Sequence, residues 1–243
     1  SKRLDENTED DGKGGWIVDD DPQGVLAWMR GFDGGPFLNG EYQFIHNENI
    51  STFKSLKTLY DEGCAWLTTA DTPYEQFALR SALMITASLE EFPEIKRAFN
   101  EANNRDTWSV IPFPGEARTA LITYGSSYAL LETEDAEALA SWLFVKWMLD
   151  PQRQAKWVQS TALYPLRISA LEELSAYEKA NPQWAEAVEL IPQAEIYPQV
   201  VSWHKVRYLL GDGFTYMFRS DVQAGSVAAI LAQMNDAARA LEE

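Results

Sequence analysis

Cysteine is almost missing from this chain. Cys64 is the single example in 243 residues, so no internal disulfide can form and no multi-cysteine metal site can be assembled. The redox compartment stays open for the same reason. Histidine is nearly as scarce. His46 and His204 are the only two, which excludes the HExxH arrangement of a zinc peptidase. Neither a P-loop nor a GxGxxG stretch occurs, so the usual glycine-rich phosphate cradles are absent too.

Positive charge is the next shortage. Lys and Arg number 20 against 37 Asp and Glu, a formal net charge of −17, and the basic residues never gather into a block. Nucleic acids are bound by clustered Lys and Arg that displace phosphate counterions. The composition therefore argues against DNA and RNA, and against anionic membrane surfaces. No run of ~18 apolar residues exists, so no helical segment is long enough to cross a bilayer. What the chain does hold is apolar bulk: 46% hydrophobic and 12% aromatic, with nine Trp. A chain of this length buries roughly 70% of the surface its unfolded form exposes, enough for a sizeable core.

Residues 1–14 are polar and acidic and read as a flexible lead-in rather than a signal peptide. Trp16-Ile17-Val18 reads as a strand, and Pro22 opens a helix through Trp28 with Asp21 as its cap. Asp33-Gly34-Gly35-Pro36 ends it. Asn49 or Ser51 is expected to cap the next helix, which Gly63 terminates. Pro73 opens a short helix to Arg80, and Ala82 to Thr86 reads as a buried strand. Pro93 to Asn100 follows as a helix, then strands over Trp108 to Phe113 and Ala120 to Tyr124. The rest is helical: Ala138 to Leu149, Pro151 to Gln159, Ser169 to Ala180, Pro182 to Leu190, Ser202 to Phe218 and Val222 to Leu241. In the last, Val227, Ile230, Leu231, Met234, Ala238 and Leu241 form one apolar stripe. Strands separated by helices, then mostly helices, indicate an α/β fold.

Several near-motifs fall short. Gly125 to Ala129 begins like a nucleophile elbow but ends in Ala where Gly is required. Asn7 to Gly12 begins like a calcium loop, but Val18 stands where the bidentate Glu should be. Asn49-Ile50-Ser51 is a formal glycosylation sequon that reads more simply as a helix cap. No metal and no cofactor is implied.

Function is expected instead at strand ends, where open α/β sheets bind their ligands. Three places qualify: Asp19-Asp20-Asp21, Ala87 to Glu91, and Tyr124-Gly125-Ser126. Their carboxylates suit a glycosidase acid and base, hydrogen-bond acceptors for sugar hydroxyls, or simple helix N-terminal charges. Trp142 and Trp147 lie at helical spacing and suit a core. Trp203 begins a helix after Glu195-Ile196-Tyr197-Pro198, where a side chain can point into a cleft.

The order of segments resembles the substrate-binding proteins of ABC importers, the family that includes maltose-binding protein. The match is carried by WMRGFDGG (28–35), EYQF (41–44), DEG (61–63) and FALRSALM (77–84), where Arg80-Ser81 replaces the family's usual Gly-Lys or Gly-Glu. It continues through WSVIPFP (108–114), YGSS (124–127), EALASWLF (137–144), DPQRQA (150–155) and YPLR (164–167). Tyr197-Pro198, Trp203 and Arg207 complete it. The resemblance implies a helix-rich, type II periplasmic-binding-protein-like fold. It covers a C-terminal lobe (15–121 plus 167–243) and two hinge crossings with part of the N-terminal lobe (122–166).

The family's βαβ-rich first third has no counterpart here. The helices of 122–166 would then leave Leu139, Trp142, Leu143, Val145, Trp147 and Met148 partly exposed. A missing lobe or self-association through 122–166 would cover them.

The function so implied is non-catalytic capture of a carbohydrate-like solute for an ABC permease, outside the cytoplasm, in the periplasm or lipid-anchored at the surface. The family's pocket segments fall on Asp20, Asp21, Ser88, Glu90, Glu91, Tyr124, Ser126, Tyr197 and Trp203. Trp203 is the expected stacking residue, and Glu90 and Asp21 the expected hydroxyl acceptors. The alternatives are a small acidic glycoside hydrolase using two of Asp20, Asp21, Glu90 and Glu91, and a ligand-free protein-interaction module. A cationic ligand is a narrower variant suggested by the acidity.

Overall fold

The structure is a computed structural model that describes residues 14–67, 73–115, 118–125 and 127–242. The calcium-loop start and residues 1–13 of the lead-in fall outside these residues, while Gly14 belongs to the first strand.

Strand β1 (Gly14–Val18) is followed by helix α1 (Pro22–Gly31), in which Asp21 accepts a hydrogen bond from the Gln23 N–H at 2.9 Å. A two-stranded hairpin, β2 (Phe37–Leu38) and β3 (Glu41–Tyr42), leads to helix α2 (Asn47–Asp61). Then come β4 (Ala65–Leu67), α3 (Pro73–Ala78), β5 (Ala82–Ile85) and α4 (Phe92–Glu101). The sheet is parallel, in the order β4-β1-β5, with Trp16 opposite Ala65 on one side and Met84 on the other.

After β6 (Ile122–Thr123) come α5 (Asp135–Met148), α6 (Pro151–Thr161), α7 (Ser175–Ala180) and α8 (Pro182–Leu190). Strand β7 (Glu195–Ile196) returns parallel to β6, and α9 (Trp203–Met217) and α10 (Val227–Ala240) close the chain.

The main core lies under the β1 sheet, between α1, α2, α9 and α10, and includes Leu26, Met29, Phe53, Leu56, Leu210 and Phe214. The expected α10 stripe is there: Val227, Ile230, Leu231, Met234 and Ala238 are buried. Gly213 permits the α9–α10 approach, because a Cβ there would lie 2.3 Å from Met234 Sδ.

Asn49 corrects the expected cap. The helix begins at Asn47, and Asn49 is fully buried. Its amide accepts from the Gly35 N–H at 2.8 Å and donates to the Gly35, Gln43 and Phe44 carbonyls. A buried amide with every group paired ties the α1 exit to the hairpin, and a side chain so enclosed takes no glycan.

A second core joins α6, α8 and the 3₁₀ turns of Ile168–Leu174, through Ala155, Val158, Leu174 and Trp184, with Phe92 at the start of α4. Beyond Arg167 the chain first packs Leu174 and Trp184 with α6, and after β7 it meets the main core through Tyr197, Val200 and Trp203.

Three further expectations change. Trp108 to Phe113 makes no ladder, only the Phe113–Ala120 bridge; Pro112 and Pro114 lack the N–H a strand would donate. Strand β5 is an edge with Leu83 and Met84 exposed, not a buried strand. Helix α5 buries Val145 alone, while Trp142 and Trp147 are 52% and 47% exposed. Helical spacing alone suggests core packing for the two tryptophans, whereas Val145, expected to be partly exposed, is the α5 residue that is buried.

One local feature bears on the resemblance. Arg80 has φ +64°, a left-handed conformation that favours glycine, and it stands where the family pattern has Gly. Asp106 holds it with a bidentate pair at 2.6 and 3.1 Å.

Candidate functional site

The carboxyl ends of β1 and β5 open into a cleft of about 1870 Å³. Its walls come from several separate stretches of chain. The Asp19–Pro22 loop leaves β1, the Thr86–Glu91 turn leaves β5, and the segment at Tyr124 follows β6. The Arg207–Thr215 face of α9 forms another wall. Gly211 lets α9 come close, since a Cβ there would sit 3.1 Å from the Asp20 carbonyl.

Of the nine expected site residues, Asp20, Asp21, Ser88, Glu90, Glu91 and Tyr124 line this one cleft. Ser126 lies outside the described residues. Tyr197 and Trp203 do not line it. Trp203 is 4% exposed within the main core, and Tyr197 packs partly buried against that core. Trp203 belongs to the inner face of α9 with Val206, Leu210, Phe214 and Met217. That spacing of three and four residues is the signal that assigns it to the core.

The carboxylates divide by role. Glu91 is held in place: it accepts from the Ser88 N–H at 2.5 Å and from the Tyr74 hydroxyl, so it braces the turn that carries Ser88 and Glu90. Burial and Glu91 push the Tyr74 hydroxyl well above its usual range. Asp21 caps α1. Asp20 accepts from Thr215 Oγ1 at 2.7 Å, which fixes it against α9. Glu90 is exposed and stands close enough to raise the Tyr124 hydroxyl, a shift due mainly to burial and opposed by a hydrogen bond to Ser88.

Asp19 is the residue that sequence reasoning undervalued. Its carboxylate accepts from the Asp21 N–H at 3.1 Å. Burial pushes its pKa up to about 6, with Glu91, Asp21 and Asp20 adding repulsion against that backbone bond. Burial likewise raises Asp21, while Gln23, Gly24 and Arg207 pull it down.

The folded chain therefore holds the Asp19 proton more tightly than the unfolded chain does. The stability that goes with this proton is complete below the ordinary value of 3.8 and is lost as pH rises through about 6. Asp19→Asn escapes that loss and keeps the acceptor for Asp21. We expect it to stabilise the chain by about 1–2 kcal/mol at pH 7.5, solvent screening included, and hardly at all at pH 4. Urea titrations at the two pH values check this; an equal effect at both contradicts it.

Aromatic surface accompanies the acids. Trp16 and Trp28 pack at 4.9 Å between ring centroids, and Phe113 meets Trp28 edge-on at 5.4 Å. Trp16 Nε1 donates to Thr86 Oγ1 at 3.0 Å, whereas Trp28 Nε1 and Arg207 Nε are buried without an acceptor among the described residues. No group of three metal-ligating side chains occurs among the described residues. The lining thus sets aromatic side chains, among them the 7%-exposed Trp16, beside carboxylates held by backbone and hydroxyl donors.

Comparison with known proteins now decides the family. The model of the bacterial extracellular solute-binding protein family matches residues 2–193. The chain belongs to this family. Family members are typically non-catalytic.

Solved structures agree on the fold. The sugar-binding protein MalE of Xanthomonas citri superposes with a TM-score of 0.79 at 14% identity, over 95% of this chain and 58% of that one. The GacH receptor of Streptomyces glaucescens, solved unliganded and with acarbose, gives 0.71 at 21%, over 95% and 60%. UgpB of Mycobacterium tuberculosis, in complex with glycerophosphocholine, gives 0.72 at 14%, over 95% and 58%. At these identities the likeness establishes the α/β, helix-rich fold of type II periplasmic binding proteins. The chain spans about three-fifths of the length of these structures. A search of curated proteins finds no match.

Proposed function

We propose that this chain forms one side of a solute trap that serves an ABC importer outside the cytoplasm, in the periplasm or lipid-anchored at the cell surface. The ligand class is carbohydrate-like, and no bond of the ligand is broken. One observation carries the reading: six residues expected at the ligand, drawn from three distant stretches of sequence, converge on a single cleft. Asp20 and Glu90 serve as hydroxyl acceptors and Tyr124, which is 42% exposed, as a ring face. The paired strands β6 and β7 are the crossings about which the trap closes, as hinge segments do. The apolar α5 face is where the rest of the trap, or a second copy of the chain, would pack.

A hydrolytic reading needs two free carboxyl groups about a scissile bond. Asp21 and Glu91 are already engaged by backbone and by Tyr74, so that role would fall on Asp20 and Glu90. Calorimetric titration with oligosaccharides, followed by chromatography of the recovered sugar, separates the two. The expected result is one-to-one binding with the sugar returned intact. Cleavage products would favour the hydrolase, and the absence of any binding would remove the proposal.

A further inference from the structure

The cleft is strongly unbalanced in charge. Asp19, Asp20, Asp21, Glu90, Glu91 and Asp212 line it, and among the described residues Arg207 is the one base of the lining outside an ion pair. The other base in its lining, Arg80, is committed to Asp106. Among the described residues none of the six acids stands in an ion pair.

Hydroxyls of a neutral sugar can donate to these carboxylates but leave their charge in place. Enclosing uncompensated charge is costly, whereas a cation with N–H donors removes the cost and strengthens each hydrogen bond. Aromatic faces within the cleft add to this preference. Tyr124 and Tyr128 are 42% and 50% exposed, and Tyr208 already lies under the Arg207 guanidinium at 4.9 Å, so this wall accepts a cation over a ring.

A second and independent observation concerns the opposite polarity. Trp28 and Arg207 line the same cleft, and among the described residues their Nε1 and Nε atoms are buried with no acceptor. Buried donors without partners are costly, and a ligand oxygen satisfies them. The occupant therefore needs oxygen acceptors as well as positive charge. A simple polyamine supplies only the charge and leaves both donors unpaired.

We propose that the solute of this cleft is a saccharide bearing a protonated amine, its nitrogen set among the acids of the Asp20 and Glu90 loops and its oxygens toward Trp28 and Arg207. This rests on the solute-trap reading and narrows its ligand class.

The test compares four probes on the full chain by calorimetry: the fully deacetylated glucosamine trimer, its N-acetylated counterpart, maltotriose and spermidine. The deacetylated trimer is expected to bind one-to-one, at least about tenfold more tightly than either neutral trimer, with an advantage that shrinks in high salt. The double variant Asp20→Asn/Glu90→Gln should lose that advantage, binding the deacetylated trimer no more tightly than the neutral ones, with circular dichroism confirming the fold. Glu172→Gln/Glu173→Gln, exposed and outside the cleft, should leave it unchanged, which controls for general attraction to a chain of charge −17. Neutral trimers binding as tightly as the amine overturn the inference while leaving the trap intact. Spermidine binding more tightly than the trimer overturns the saccharide assignment. Binding by none of the probes removes both the inference and the reading beneath it.

Discussion

Trp203→Ala is expected to cost the chain about 3–5 kcal/mol of stability, the usual range for removing a buried Trp. The side chain is 4% exposed and belongs to the core that joins α9 to α1, α2 and β1. Truncation leaves a large cavity among Val206, Leu210 and their neighbours, where close packing limits relaxation. That is a large fraction of the stability of an ordinary domain, and it should lower Tm by roughly 6–20 °C. Thermal unfolding followed by circular dichroism checks it. A stacking residue in an open cleft would behave differently. Its loss would change Tm by at most a degree or two and abolish sugar affinity, and that outcome would contradict the placement found here.

Trp184→Ala should be as damaging but in another place. Trp184 is fully buried in the second core, donates from Nε1 to the Ala162 carbonyl at 2.6 Å, and meets Tyr177 edge-on at 5.1 Å. Truncation removes its packing and strips a buried carbonyl of its donor, together about 3–5 kcal/mol. The loss should be local. Hydrogen exchange should accelerate in α6, α7 and α8 and remain near the parent rates in β1, α9 and α10, because Trp184 touches none of these. Uniform acceleration along the chain would show that the two cores unfold as one and would contradict this division.

The two tryptophans also show what the sequence could and could not tell. Asp21 followed by Pro22, and Pro182 to Leu190, were legible because cap chemistry and proline act within one turn. β1 was legible because a short apolar run stops at three aspartates. Trp203 stands at a helix start, which suggests a cleft, but the stripe it shares with Val206 and Leu210 turns it into the core. Asn49 looked like a cap because Asn at a helix start is usually one, and only the folded chain shows four backbone groups waiting for its amide.

The cleft was legible in part. Strand ends with acids and aromatics marked Asp20, Asp21, Ser88, Glu90, Glu91 and Tyr124. Asp19 gains its character from burial, which no spacing reveals. Arg207 and Thr215 enter from α9, nearly two hundred residues from Asp20 in sequence. Their spacing with Gly211, every fourth residue, was the available sign of a common helical face.

The nine tryptophans offer the most direct measurement of the central claim. In a ¹⁵N–¹H spectrum of the full chain, a saccharide bound in the cleft should shift the indole signals of Trp16 and Trp28, which line it. Those of Trp184 and Trp203, enclosed in the two cores, and of Trp142 and Trp147 on α5 should stay in place. Saturable shifts confined to the tryptophans that line the cleft, Trp16 and Trp28 with Trp108 and Trp157, are the predicted result. Shifts at Trp142 and Trp147 with Trp16 and Trp28 unmoved would place the ligand elsewhere and contradict the account.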